Sequence, residues 1–169
     1  MKPALALLLL TLALAGCGYT SLQSGSPFGV RRLALVPFGE AQPAGLAPDL
    51  AQALALELAA SGLEIAPSRA TADGVLTGEI LSVTTVPSSA AGGVLTYSIR
   101  VLLSARLTVG GKEPWKKEWW VAEDYLPGVG GTLEHTLATE TNRREALRRV
   151  ALLAAQQLRS ALLLEAAAR

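Results

Sequence analysis

The sequence is short of the residues that most chemistry needs. It has one cysteine, Cys17, and one histidine, His135. A lone cysteine excludes an intramolecular disulfide, and with a single histidine no His/Cys zinc cluster can form. Charged residues are 17% of the 169-residue chain, 15 Lys and Arg against 14 Asp and Glu, for a formal net charge of +1. That balance lacks the broad basic footprint of a nucleic-acid binder. No Gly-x-Ser-x-Gly elbow and no phosphate-cradling glycine loop occurs. A Ser/His/Asp triad would have to use His135, which sits beside Glu134 in a Gly-rich stretch and reads as an exposed loop histidine. Glu123 and Asp124 form the one adjacent acidic pair, and a solvated strand end accounts for them better than acid–base work. The sequence points away from an enzyme, a metal site or a bound cofactor. A chain of this length is one domain's worth, and it can bury about two-thirds of its unfolded surface without any such staple.

The N-terminus reads as an address. Met1-Lys2-Pro3 gives a short positive end, and residues 4–14 are apolar apart from Thr11. That run is too short to span a bilayer, which takes about 20 residues, but it suits the apolar region of a secretory signal. It ends in Leu14-Ala15-Gly16-Cys17, which resembles the bacterial lipobox, and the only cysteine of the chain stands where the lipobox needs it. Residues 1–16 are therefore expected to be a signal peptide, with Cys17 acylated and anchoring the chain in a membrane. Gly18 follows the cysteine, and by analogy with enteric lipoproteins the absence of Asp there favours the outer membrane, with the domain on its periplasmic side. Residues 17–30 form the acylated end and a Ser- and Gly-rich tether. Ten such residues reach about 17 Å root-mean-square, so the domain works close to its membrane. Residues 31–169 make a single domain, and no later segment reaches 18 consecutive apolar residues.

Within the domain, residues 32–38 read as a buried strand stopped by Pro37. Pro48 and Asp49 open a helix whose Leu50, Leu54 and Leu58 share a face, and Gly62 closes it at C′. Residues 64–66 suggest a short extended piece. Residues 74–86 read as a strand of muddled alternation ending at Pro87. The clearest strand follows: Tyr97, Ile99, Val101, Leu103, Ala105, Leu107 and Val109 alternate with polar residues, Leu102 being the exception. Such alternation marks a half-buried antiparallel strand. Gly110-Gly111 suggests a two-residue hairpin, with a return strand over residues 115–123 whose charges and Pro114 suit a sheet edge. Residues 125–139 read as a loop. A last helix over residues 139–167 starts near an approximate capping box of Asn142 and Glu145, buries Leu147, Ala151, Ala154, Leu158 and Ala161, and groups Arg144, Arg148 and Arg159 on its other side. This order predicts an α+β two-layer sandwich, with two helices on one face of a four-stranded, mixed but largely antiparallel sheet.

The candidate contacts lie around the return strand. Trp115, Trp119 and Trp120 are interleaved with Lys116, Lys117 and Glu118. On an extended strand Trp115 and Trp119 share a face and Trp120 takes the other. Two readings stand: core tryptophans on a solvated edge, or a docking edge in which aromatics anchor and lysines attract phosphorylated head groups. Arg100 and Arg106 on the polar face of the preceding strand, with Lys112 in the turn, extend that basic surface. Charge is uneven along the chain: residues 40–79 hold six acids and one Arg, residues 140–169 six Arg and three Glu.

The lipobox running into Cys17-Gly18-Tyr19, the strand ending Val36-Pro37-Phe38, the segments Ala72-Asp73-Gly74-Val75-Leu76-Thr77-Gly78 and Tyr97-Ser98-Ile99-Arg100-Val101, and the closing Ala138-Thr139-Glu140-Thr141-Asn142-Arg143-Arg144-Glu145 occur in one order. Together they resemble the LptE family of lipopolysaccharide-assembly lipoproteins. Gly39-Glu40 departs from the polar, often Asn-containing, turn of many relatives. The resemblance implies a two-helix, four-strand sandwich and a non-enzymatic role. It also implies a partner, the outer-membrane β-barrel LptD, whose lumen the lipoprotein plugs to form the lipopolysaccharide translocon, with lipopolysaccharide itself a candidate ligand. It assigns no lipopolysaccharide contact residue by residue. The alternative is another envelope lipoprotein with a small α+β domain, such as a regulator of peptidoglycan synthesis.

Overall fold

The computed structural model describes residues 27–41, 44–89, 95–128 and 132–168. Cys17 and the signal lie outside them. The elements are β1 (Arg32–Leu35), β2 (Gly39–Glu40), α1 (Ala47–Ala60), β3 (Glu64–Ile65), β4 (Gly74–Ser89), β5 (Leu95–Val109), β6 (Trp115–Tyr125) and α2 (Thr132–Ala167), with 3₁₀ turns at Pro27–Gly29 and Arg69–Thr71. The sheet runs β3-β1-β4-β5-β6, and β2 adds to β4 past the end of β1. Strands β1, β2 and β3 pair in parallel, while β4, β5 and β6 form an antiparallel meander. The fold is the expected α+β sandwich, with six strands instead of four. The extra ones, β2 and β3, are two residues each and too short to show a period.

Both helices cover one sheet face. Leu50, Leu54 and Leu58 of α1 meet Ala146, Leu147, Val150, Ala151, Ala154, Ala155, Leu158 and Leu162 of α2, over Ile99, Val101, Leu103, Ala105 and Leu107 of β5, in one core. The alanines let the helices approach closely, and the burial of this leucine stripe is the main driving force of the fold. By length and composition α2 would suffice to cross a bilayer, but its inner stripe is spent on this core. Gly62, at φ 83°, closes α1 as expected: its N–H donates to Ala59 O, and that of Leu63 to Leu58 O.

Several boundaries differ from the sequence reading. Strand β1 stops at Leu35, and Phe38 instead turns inward to pack on Gly78, where a Cβ would clash with the ring and lie 2.6 Å from Ser104 O. The muddle in β4 is a bulge. Ile80 pairs with Leu103 but Ser82 with Leu102, so Leu81 is an extra residue. The bulge flips parity: Leu76 and Ile80 face the core before it, Val83 after it. β4 also runs through Pro87, which pairs with Tyr97. Beyond β2 its outer edge has no partner among the described residues, the kind of edge position where a strand tolerates proline. The β5–β6 turn is longer than two residues. Lys112 N–H donates to Val109 O, and the last register pair is Leu107 with Trp115, since Pro114 cannot donate. Helix α2 starts at Thr132, not at 139. Asn142 is no cap: its Nδ2 donates to Leu126 O at 2.8 Å, tying the incoming chain to the helix flank. His135 accordingly lies exposed in the first turns of α2 rather than in a loop. Ala161 is only half-buried, and Arg159 leaves the other arginines to bond Glu57 of α1 at 2.7 Å.

Candidate functional site: the open sheet face

The sheet face opposite the helices is covered by no element among the described residues. Strand parity places its side chains. Across β4, β5 and β6 the register aligns Thr77, Arg106 and Lys116 in one row, then Glu79, Ser104 and Glu118, then Ser82, Leu102 and Trp120, then Thr84, Arg100 and Ala122. Same-face cross-strand neighbours lie within interaction distance. The face thus carries a polar zone of both charges, an apolar pair of Leu102 with Trp120, and a further cation at Arg100. Trp120 is 58% exposed, whereas Trp115 and Trp119 are buried, so the expected division of the tryptophans holds.

The first two rows frame an open concavity of about 560 Å³, lined by Thr77, Glu79, Ser104, Arg106, Lys116 and Glu118 among others. Thr77 Oγ1 donates to Arg106 O and Thr84 Oγ1 to Arg100 O, each at 3.4 Å, which fixes these hydroxyls against the strand next door. Arg100, Arg106, Lys116 and Lys117 make no ion pair among the described residues. The arginines of α2 differ: Arg143 and Arg144 hold Glu140, Arg148 holds Glu145, and Arg149 holds Glu123 and Asp124 O. Cations without intramolecular partners keep their full capacity for an anionic or polar surface.

The expected contact residues do not all share this face. Arg100, Arg106, Lys116 and Trp120 do. Lys112 lies in the β5–β6 turn and donates to Phe28 O at 3.2 Å. Lys117 has the opposite parity and stands at the outer edge of β6, beside a groove under α2. Glu79 and Glu118 belong to the face and escaped the sequence reading. Glu118 follows from the parity of β6, but Glu79 needs the register of β4, which the bulge hides.

Two titrating groups flank the sheet. At its start, the backbone N–H of Arg32 holds the Asp73 carboxyl below its usual range; desolvation opposes this, and the Arg31 N–H and the Arg32 charge add to the lowering. At its far end, burial pushes the Tyr125 hydroxyl up, and the Tyr125 ring stacks on Tyr97 at 5.6 Å. Among the described residues no group of His, Cys, Asp and Glu could hold a metal ion. The face offers binding chemistry, with charge, hydroxyls and one aromatic.

The LptE family, described as lipopolysaccharide-assembly, matches residues 30–162. The chain belongs to the LptE family. None of the curated proteins matches the sequence. Solved structures share the fold: a minor lipoprotein from Acinetobacter baumannii at 14% identity and TM-score 0.53, covering 80% of this chain and 92% of its own. A lipoprotein from Caulobacter crescentus gives 15% identity and TM-score 0.52, covering 81% and 92%. The rare lipoprotein B from Shewanella oneidensis gives 16% and 0.50, covering 81% and 93%. At these identities the likeness speaks for the fold, which the LptE match over most of the chain then ties to a lipopolysaccharide-assembly family.

Proposed function

We propose that this LptE-family protein is an outer-membrane lipoprotein, anchored on the periplasmic side through acylated Cys17, that assembles with and plugs an LptD-type β-barrel. The pair would form the translocon that inserts lipopolysaccharide into the outer leaflet. The observation that supports this most is the long sheet face that no described element covers, with Arg100, Arg106 and Lys116 making no ion pair among the described residues. A plug in a water-filled barrel has to present polar groups to the wall. The same cations suit the phosphorylated head of lipopolysaccharide, with Trp120 and Leu102 beside them for an apolar contact. The role is one of binding and assembly, with no catalytic residue.

The test is a mild-detergent pull-down of the tagged protein from outer membranes of its own host. A stoichiometric, heat-modifiable β-barrel is the expected co-purifying partner. Recovery alone, or with a cell-wall synthase, combined with unchanged surface lipopolysaccharide after depletion, would overturn the proposal.

A further inference from the structure

Strand β6 ends the sheet on one side, and among the described residues its outer backbone edge pairs with nothing. Unpaired strand edges are templates for an added strand. Beside this edge runs a groove of about 420 Å³ between β6 and α2, lined by Lys117, Trp119, Leu153, Gln156, Ala161 and Leu164, among others. Leu164 is 73% exposed. Trp119, 9% exposed, forms part of the groove wall. An apolar groove beside an open strand edge suits an extended segment that adds its backbone to the edge and an apolar side chain to the groove.

The path of the chain indicates what completes it. The described residues begin at Pro27. Phe28 packs on Trp115, at the start of β6, with ring centroids 6.3 Å apart, and its carbonyl accepts from Lys112 Nζ. The 3₁₀ turn Pro27–Gly29 also abuts α2. The described chain thus begins beside Trp115, two residues along β6 from Lys117 of the groove. Trp119 lies about 13 Å from Trp115 along β6. Leu22 lies six residues before Phe28, a reach of up to about 20 Å when extended. We propose that residues 18–26 dock along the free edge of β6, with Leu22 in the groove against Trp119. Docking shortens the tether and fixes which side of the domain faces its membrane. It depends on neither the barrel nor lipopolysaccharide, so failure of the pull-down leaves it standing, and its own failure leaves the plug untouched.

Hydrogen exchange on the full mature protein in detergent micelles tests this, comparing the wild type with Leu22→Asp, a change outside the folded core. Amides of residues 117–121 are expected to exchange on the order of tenfold faster in the variant, with β5 and α2 unchanged. Equal rates in both proteins overturn the proposal. Protection that persists in Leu22→Asp and grows with protein concentration also overturns it, and assigns the edge to a second copy. A cysteine pair gives a positive control, since acylation caps the Cys17 thiol. Leu22→Cys with Lys117→Cys should form an intramolecular disulfide, and Leu22→Cys with Arg100→Cys, on the opposite face, should not.

Discussion

Glu40, on the two-residue strand β2, caps helix α1 from a distance: its Oε1 accepts the N–H of Ala47 at 2.6 Å. Its Oε2 accepts the N–H groups of Ala44 and Gly45 at 3.1 and 3.4 Å. Leu46, at the N-cap position, has no side-chain acceptor to offer. The carboxylate supplies both the hydrogen bonds and the negative charge that a helix N-terminus favours. Glu40→Ala should lower stability by about 1–2 kcal/mol, the range of lost helix caps. Glu40→Gln keeps an acceptor without the charge and should fall between the two. Urea denaturation of the three proteins checks the order, and an Ala variant as stable as wild type would remove the cap from the account.

Asp73 ties the starts of β1 and β4 together. Its Oδ2 accepts the Arg32 N–H at 2.8 Å and the Arg31 N–H at 3.1 Å, and Arg32 adds an ion pair at 3.6 Å. Its carboxyl is held below the ordinary value of 3.8. A depressed carboxyl stabilises the fold above its unfolded pKa, and that stability is lost as the pH falls through the folded value. Asp73→Asn should therefore be less stable than wild type at neutral pH, with the two melting curves drawing together below pH 3.8. Melting temperatures that stay apart by a constant amount down through that range would show that the carboxylate charge is not what matters.

Gly78 faces Ala105 across the β4–β5 pair, and this small pair leaves room for the Phe38 ring. Gly78→Ala should destabilise by about 1–3 kcal/mol through overpacking. Phe38→Leu on the same background should recover part of the loss, because the flat ring is what the new methyl meets. A double-mutant cycle measures this, and purely additive losses would deny the contact.

These three contacts mark the limits of what the sequence shows. The facing of β5 was legible because its core residues repeat every second position over its whole length. Leu102, the exception, turned out to pair with Trp120 on the open face. The facing of β4 was hidden by the extra residue Leu81, which reverses parity halfway along. The first turns of α2 gave no helical period because residues 133–137 are all exposed and bury no stripe. Strand β2 is too short for any pattern, so Glu40 read as a turn residue and its capping role was out of sight. The sequence reading grouped Lys117 with Arg100, Arg106, Lys116 and Trp120, but the register puts those four on the open face and Lys117 on the other, where the packing of α2 forms the groove.

Cys17→Ala should leave the protein unacylated, because the thiol is the attachment point in the lipobox reading. Incorporation of labelled palmitate reads this directly, with the wild type labelled and the variant blank. Label at wild-type level in Cys17→Ala would sink both the lipobox and the membrane anchor.

Arg106 and Lys116 stand opposite each other on the open face, exposed and without ion partners among the described residues. Reversing both, as Arg106→Glu with Lys116→Glu, places four carboxylates in two neighbouring rows with Glu79 and Glu118. Exposed substitutions away from packing shift stability by no more than about 0.5 kcal/mol each, so the domain should melt near wild type. Leu103→Asp, on the core face of the same strand, buries an unpaired charge and should unfold it. Capture of the proposed β-barrel partner should then fall in the folded double variant, while Arg106→Lys should retain it. If the double variant captures the barrel as well as wild type does, the open face is solvated surface, and the docking face must lie elsewhere on the domain. If it melts as early as Leu103→Asp, the facing assigned to β5 is itself wrong.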